Sequence, residues 1–366
     1  MVGNLNPDEQ HMREAIRVAR KGLGKVSPNP MVGAVVVKEG RVIGTGSHLV
    51  FGGSHAEVVA LKEAGAGTRG ATLYVTLEPC SYQGKTPACT EAVIHSGVGR
   101  VAIGGLDPNP RINGQGVKML RESGIEVITG ILRDECEALN LAHNKLMRTG
   151  LPFATLKFAQ TLDGRIATSV GESRWISSES SRRYTHRLRS RHDAVMVGIG
   201  TVLADDPRLD VRMVRGRSPI PVVLDSHLRL PLTANLLGGE KKAIVITTPQ
   251  ADISAVTALE GIGSEVIIVP ADQAGRVDMA CALAELGKRQ VSSVMVEGGA
   301  GVITALLRYK LADRLVVFIG PSIMGRGVEA VGDLGIGRMA ELVALDIKRV
   351  RRLGRDIVVE AAFTCS

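Results

Sequence analysis

Apolar positions in the first 150 residues switch between helical and strand periods. Asn6-Pro7-Asp8-Glu9 combines a capping side chain, a first-turn proline and an acidic first turn. Met12, Ile16 and Ala19 then share one face until Gly22 and Gly24, so the spacing predicts a helix. Two strands at 32–37 and 41–45 flank the turn Lys38-Glu39-Gly40. Helical stretches at 55–63, 87–96, 117–122 and 133–147 alternate with strands at 72–77, 100–104 and 125–128. Thr149-Gly150 and Pro152 punctuate the chain, predicting domains over 1–148 and 149–366. Beyond them the alternation resumes, with strands at 153–159, 194–197, 221–224, 243–247, 265–269 and 294–296. Helices fall at 178–189, 279–288 and 302–307, and apolar runs at 315–319 and 357–362 read as closing strands. Such alternation predicts two layered α/β domains without internal repeats.

Composition narrows the class. The 366 residues are 45% hydrophobic and 22% charged, a globular balance. No apolar run approaches the ~18 residues of a membrane span, and the polar, acidic start lacks the order of a signal peptide. Five cysteines in so long a chain do not make a disulfide framework, which points to a soluble protein of a reducing cytoplasm. The net charge of +8 is spread over both halves rather than held in a tail. It suits an anionic ligand, and 3% aromatic residues are poor material for stacking unpaired bases. A phosphorylated small molecule is therefore expected in preference to nucleic acid.

The first half carries a metal-ligand pattern. His55-Ala56-Glu57 opens a helix, Pro79-Cys80 follows a strand, and Cys89 stands near the next helix start. One imidazole and two thiolates suit Zn²⁺ with a fourth position left for water, and a carboxylate two residues from the histidine suits proton transfer. Singly, each fragment reads equally as an ordinary helix start or a small core residue. Jointly, H-x-E followed by P-C and a second cysteine is the zinc nucleobase-deaminase signature. The gap between the cysteines departs from P-C-x-x-C, so residues 81–88 must bulge, which offers Lys85 to a phosphate.

The second half lacks a Gly-x-Gly-x-x-Gly after its first strand, so a Rossmann site is not indicated. Gly198-Ile199-Gly200-Thr201 and Glu297-Gly298-Gly299-Ala300-Gly301 each follow a strand and read either as phosphate-cradling turns or as plain turns. Arg182 and Arg189 share a helix face within a basic run, which is either a solvated face or a phosphate clamp. The single Trp175, in a polar segment, suits a platform for an aromatic ring.

Several longer stretches carry a resemblance. Ser27-Pro28-Asn29-Pro30-Met31-Val32-Gly33, Gly46-Ser47-His48, Glu78-Pro79-Cys80-Ser81, Gly84-Lys85-Thr86-Pro87 and Asp107-Pro108-Asn109-Pro110 are similar to the bifunctional riboflavin-biosynthesis deaminase/reductase family. Leu162-Asp163-Gly164-Arg165-Ile166-Ala167, Gly171-Glu172-Ser173, Trp175-Ile176 and Thr201-Val202-Leu203-Ala204-Asp205-Asp206-Pro207 extend the likeness across nearly the whole chain. The resemblance implies a cytidine-deaminase-like three-layer domain followed by a dihydrofolate-reductase-like domain. It implies zinc ligands His55, Cys80 and Cys89 with Glu57 as proton shuttle, and substrate contacts at Asn29, His48, Lys85, Asp107 and Asn109. In the reductase it implies NADPH contacts at Gln160, Trp175, Thr201, Asp205, Ser226, Gly299, Ala300 and Gly301. Ser173, Arg189, Leu209, Arg212 and Glu297 are implied for the substrate, and Lys157 is a candidate for placing the sugar's proton. Tyr82, Ala88 and Gln160 depart from the family pattern. The activity so implied is zinc-dependent deamination of a phosphoribosylaminopyrimidine, then NADPH-dependent reduction of its ribose, by a homo-oligomer (dimer or tetramer). An RNA deaminase and a non-enzymatic module with structural zinc are the rivals. The first needs a concentrated basic stripe, the second a fourth protein ligand such as His95 or Cys136.

Overall fold

The computed structural model describes residues 6–82, 88–109 and 112–364 and separates into two compact units, Met1–Gly150 and Leu151–Ser366. The division lies two residues beyond the boundary expected from sequence.

In the first unit, helix α1 (Pro7–Ala19) precedes strands β1 (Gly33–Lys38) and β2 (Arg41–Ser47), then α2 (Ala56–Ala64), β3 (Thr72–Leu77) and α3 (Cys89–His95). The unit closes with β4 (Arg100–Gly105), α4 (Gln115–Glu122), β5 (Glu126–Thr129), α5 (Arg133–Leu139) and α6 (Leu141–Thr149). Asn6 caps α1 by accepting from the Asp8 amide at 3.1 Å, as its sequence position predicts. The five strands run in the order β2-β1-β3-β4-β5, with β3, β4 and β5 parallel and β1 antiparallel to both its neighbours. Alternation along β1 builds two cores. Ala34 and Val36 pack with Ala56, Ala60, Val93 and Leu120, while Val35 and Val37 pack with Met12, Ala15 and Cys136. Helices therefore cover both faces, giving the three-layer unit implied by the resemblance.

One expectation fails here. The single helix over 133–147 is two helices broken at Asn140, whose φ of −121° is not helical. The Asn140 side chain accepts from the Met31 amide at 2.7 Å and donates to the Met31 carbonyl at 2.9 Å, a tie to a residue 109 positions earlier.

The second unit begins with β6 (Phe153–Thr161), β7 (Arg165–Thr168), α7 (Glu179–Arg189), β8 (Ala194–Gly198), α8 (Ile199–Asp205) and β9 (Ile220–Leu224). Next come β10 (Ile244–Thr247), α9 (Ile253–Gly261), β11 (Glu265–Ile268), α10 (Met279–Lys288), β12 (Ser293–Glu297) and α11 (Ala300–Arg308). It ends with β13 (Arg314–Gly320), β14 (Gly327–Glu329), β15 (Leu345–Leu353) and β16 (Asp356–Phe363). Nine strands form one sheet in the order β11-β10-β9-β8-β12-β6-β13-β16-β15, parallel apart from the closing β15-β16 hairpin. Val294 and Val296 of β12 pack with Leu283, Ile303 and Leu306; Met295 packs with Leu188, Val202 and Leu259. This sheet too is covered on both faces. Strands β7 and β14 pair as a separate two-stranded strap, and the Asp163 carboxylate anchors it by accepting from the Met324 and Gly325 amides at 3.0 and 2.7 Å.

Candidate functional sites

In the first unit the ends of three elements converge. His55 is the cap residue of α2, Cys80 follows β3, and Cys89 begins α3. His55 Nδ1 lies 2.9 Å from Cys89 Sγ and 3.6 Å from Cys80 Sγ, and the Cys89 amide donates to Cys80 Sγ at 3.3 Å. The three donors stand within 4.8 Å of one another, and among the described residues no further His, Cys, Asp or Glu joins them. Bonds of ~2.1 Å to nitrogen and ~2.3 Å to sulfur around a tetrahedral zinc place donors about 3.6 to 3.8 Å apart, so His55 and Cys80 match and His55 and Cys89 need open by under about 1 Å to hold the metal with one position left open. Structural zinc sites are closed by four protein ligands, which His95 and Cys136 do not complete here.

The electrostatics support the same assignment. Hydrogen bonds from Cys89 and His55 hold the Cys80 thiol down at about 4, a thiolate at neutral pH. Glu57, in the first turn of α2, is 3% exposed, and burial pushes its carboxyl up to about 7. Such a group is poised to exchange a proton near neutrality.

The other first-unit residues singled out from sequence divide as follows. Asn29 Nδ2 stands 3.1 Å from His48 Nε2, and His48 Nδ1 stands 3.1 Å from the Ser54 carbonyl. A carbonyl only accepts, so His48 donates through Nδ1 and accepts from Asn29 through Nε2, the neutral tautomer. Its ring meets that of His55 edge-on, with centroids 5.4 Å apart. Asp107 is raised by burial and feels the charge of both Cys80 and His143; the Asn109 amide donates to its Oδ1 at 2.8 Å. Lys85 lies outside the described residues. His143 escaped the sequence reading: half-buried on α6, it reaches the Pro28 carbonyl through Nδ1 at 3.1 Å, with nothing in its own segment to mark it.

In the second unit a cavity of about 1460 Å³ opens at the carboxyl ends of β6, β8, β9 and β12. There the strand order departs from the chain order, which is where open α/β sheets hold ligands. Its walls include Trp175, Thr201, Asp205, Ser226, Gly299, Ala300 and Gly301, together with Ser173, Arg189, Leu209, Arg212 and Glu297. Gln160 is the exception and does not line the cavity. From β6 the cavity wall takes Lys157, Phe158 and Ala159 and stops one residue short of it.

The turn between β12 and α11 needs glycine, because Gly298 and Gly299 hold φ of 85° and 70° with Thr201 packed close beneath them. Deeper in, Arg189 makes a fork to Glu297 through Nε at 2.5 Å and Nη2 at 3.0 Å, and Lys157 Nζ reaches the same carboxylate at 3.5 Å. Burial opposes ionisation of Glu297, but Arg189 and Lys157 outweigh it and hold the carboxyl at about 2. Burial also lowers Lys157, and lowers His186 to about 4 with help from Arg189 and Arg212. At the rim, Ser173 Oγ donates to Asp205 Oδ1 at 3.2 Å, and the Arg182 guanidinium lies 4.3 Å from the Trp175 ring centre.

Residues 152–359 match the RibD C-terminal domain family, and residues 5–105 match the cytidine and deoxycytidylate deaminase zinc-binding region. The riboflavin biosynthesis protein RibD of Aquifex aeolicus is 43% identical over 96% of this chain and 97% of its own length. The chain belongs to the RibD family. Its Escherichia coli relative is 36% identical over 96% of this chain and 98% of its own. Acinetobacter baumannii RibD superposes with a TM-score of 0.89 at 36% identity, covering 98% of this chain and 99% of that one. The Thermotoga maritima diaminohydroxyphosphoribosylaminopyrimidine deaminase/5-amino-6-(5-phosphoribosylamino)uracil reductase does so at 0.84 and 38%, with the same coverage. Full-length membership makes the first unit a zinc-binding deaminase domain and the second a RibD reductase domain, in one bifunctional enzyme of riboflavin biosynthesis. Among the described residues no helix is long and apolar enough to cross a membrane.

Proposed function

We propose that the first unit hydrolyses the 2-amino group of 2,5-diamino-6-(5-phosphoribosylamino)pyrimidin-4-one. The second then reduces the ring-opened ribose with NADPH to give 5-amino-6-(5-phosphoribitylamino)uracil. The observation that carries this reading is the His55, Cys80 and Cys89 donor set beside a buried Glu57, on a chain whose second unit holds the large cavity. Zinc held by the three ligands supplies Lewis-acid activation of water at neutral pH. Glu57, near neutrality, takes a proton from the attacking water and passes one to the departing amine, which leaves as ammonia. Asn29 and the neutral His48 orient the pyrimidine.

In the second unit the Gly298-Gly299 turn and the start of α11 would hold the cofactor's diphosphate, and Trp175 would support a ring. NADPH bound in this cavity would supply the hydride for the imine carbon, and Lys157, desolvated and paired with Glu297, would place the proton on nitrogen. Arg229 and Arg276 line the same cavity and would favour NADPH over NADH by supplying positive charge for its added phosphate. The remaining deaminase and reductase contacts, Gln160 apart, act as the resemblance implies. We assign the enzyme to the cytoplasm without a nucleic-acid partner, since its charge is dispersed over both units. We assign a homo-oligomer through β15, an edge strand on which Ile347 and Val350 are 61% and 60% exposed.

The test is NADPH oxidation on the diaminopyrimidinone phosphate by wild type and Glu57→Gln. Oxidation by wild type alone, restored in the variant by already deaminated substrate, is the expected result. Oxidation by neither, with zinc bound and the fold intact, refutes the substrate.

A further inference from the structure

Glu78 immediately precedes Pro79-Cys80 and is 3% exposed, yet it touches neither the metal donors nor solvent. Its carboxylate collects three backbone amides. Oε2 accepts from Asp107 at 3.1 Å and from Gly114 at 3.0 Å, and Oε1 accepts from Val117 at 3.2 Å. Gly114 and Val117 are the cap and third residue of α4, so Glu78 gives this helix the side-chain acceptor that a glycine cap lacks. Asp107 follows β4 and is the residue whose Oδ1 receives the Asn109 amide. The helix start is also pressed against the metal-ligand turn: a Cβ on Gly116 would meet the Pro79 carbonyl at 2.2 Å.

We propose that Glu78 is a positioning residue of the deaminase site. One carboxylate fixes the turn carrying Cys80 relative to Asp107 and Asn109, and so sets how far the metal stands from the side chains that hold the pyrimidine. The inference rests on the deaminase reading above. Chemistry selects the residue type: a carboxylate is acceptor-only with two oxygens, whereas a glutamine amide turns an N–H₂ group toward one of the three donors. Leaving such a buried donor unmatched loosens the segment it holds.

The experiment uses the full chain carrying Glu78→Gln or Glu78→Asp. It measures deamination of the diaminopyrimidinone phosphate, reduction of already deaminated substrate, and zinc per chain. Glu78→Gln is expected to lower deaminase kcat/KM roughly tenfold or more, mainly by raising KM, with zinc and reductase rate unchanged. Glu78→Asp keeps the charge one methylene short and recovers part of the loss. Wild-type deaminase kinetics in Glu78→Gln overturn the proposal, and so does loss of zinc with a collapse of kcat at constant KM. If wild type itself leaves the compound unchanged, the proposed function falls and the clamp is judged on hydrogen exchange at the Asp107, Gly114 and Val117 amides. Faster exchange in Glu78→Gln with zinc retained then upholds the clamp, and unchanged exchange overturns it.

Discussion

Gly46→Ala tests whether the packing of α2 on β2 sets the deaminase geometry. A Cβ at position 46 would stand 1.9 Å from the Ala56 carbonyl oxygen and 2.6 Å from the Ala60 amide nitrogen, both backbone atoms that no rotamer change can move. An ordinary carbon–oxygen contact is about 3.3 Å, so the first turn of α2 must retreat by about 1.4 Å. That turn carries His55 of the candidate metal site on one side of Ala56 and Glu57, proposed for proton transfer, on the other. A misplacement of about 1 Å costs on the order of 10²-fold in rate, and overpacking costs about 1–3 kcal/mol of stability. The expected outcome is a deaminase kcat/KM lowered on the order of 10²-fold and a first-unit melting transition lowered by several degrees, with reduction of already deaminated substrate untouched. Gly99→Ala is the control, because its Cβ meets nothing nearer than 3.5 Å. Full deaminase activity in Gly46→Ala refutes the packing argument, and equal loss of both activities refutes its confinement to one unit.

Trp175, the single tryptophan, is 63% exposed on the cavity wall, so its fluorescence should fall on NADPH binding; Trp175→Ala should raise the reductase KM for NADPH several-fold and leave deamination unchanged. A signal blind to NADPH removes the platform. The pairing of Glu297 with Arg189 and Lys157 holds its carboxyl at about 2 against an ordinary 4.5. Because the folded value is depressed, this stabilisation is complete above about pH 4.5 and drains away as pH falls toward 2, by linkage. Urea midpoints of wild type and Glu297→Gln should therefore converge across that window, and a constant gap contradicts the pairing. Ile347→Lys on β15 should shift the enzyme toward monomer in light scattering, and an unchanged mass refutes that edge as the interface.

The parts legible in the sequence are those decided locally or by rare chemistry. Asn6 and Pro7 fix the start of α1 because a cap and a first-turn proline act within one helical turn. One histidine and two cysteines are uncommon enough, at the ends of predicted elements, to mark a metal site before any fold is known. What escaped depends on partners distant in sequence. The break at Asn140 arises from Met31, and residues 133–147 contain no glycine or proline to announce it. Strand β15 was missed because Lys348, Arg349, Arg351 and Arg352 obscure its alternation, as suits a strand exposed at a sheet edge. Gln160 was placed by likeness of position, but the cavity wall takes β6 only from Lys157 to Ala159, a limit set by the residues packed around the strand end and not by its own segment.

Both units place their chemistry at carboxyl ends of parallel strands, and a buried glutamate stands at such an end in each. Glu78 follows β3 and Glu297 is the last residue of β12. A parallel strand delivers its final side chains into a crevice where the next helices begin, so unpaired backbone amides and the positive helix ends gather there. A carboxylate is the natural occupant, but it must be fully paired, because burying it alone is prohibitive. The two units solve this differently. Glu78 is satisfied by three neutral amides, a rigid arrangement that belongs to the backbone and suits a residue holding other groups in place. Glu297 is satisfied by the side chains of Arg189 and Lys157, a charged arrangement in the wall of the cavity that an entering ligand can perturb. The same strand-end position thus yields a fixed brace in the first unit and a responsive charge cluster in the second, which accords with metal-ligand geometry in one and proton placement in the other.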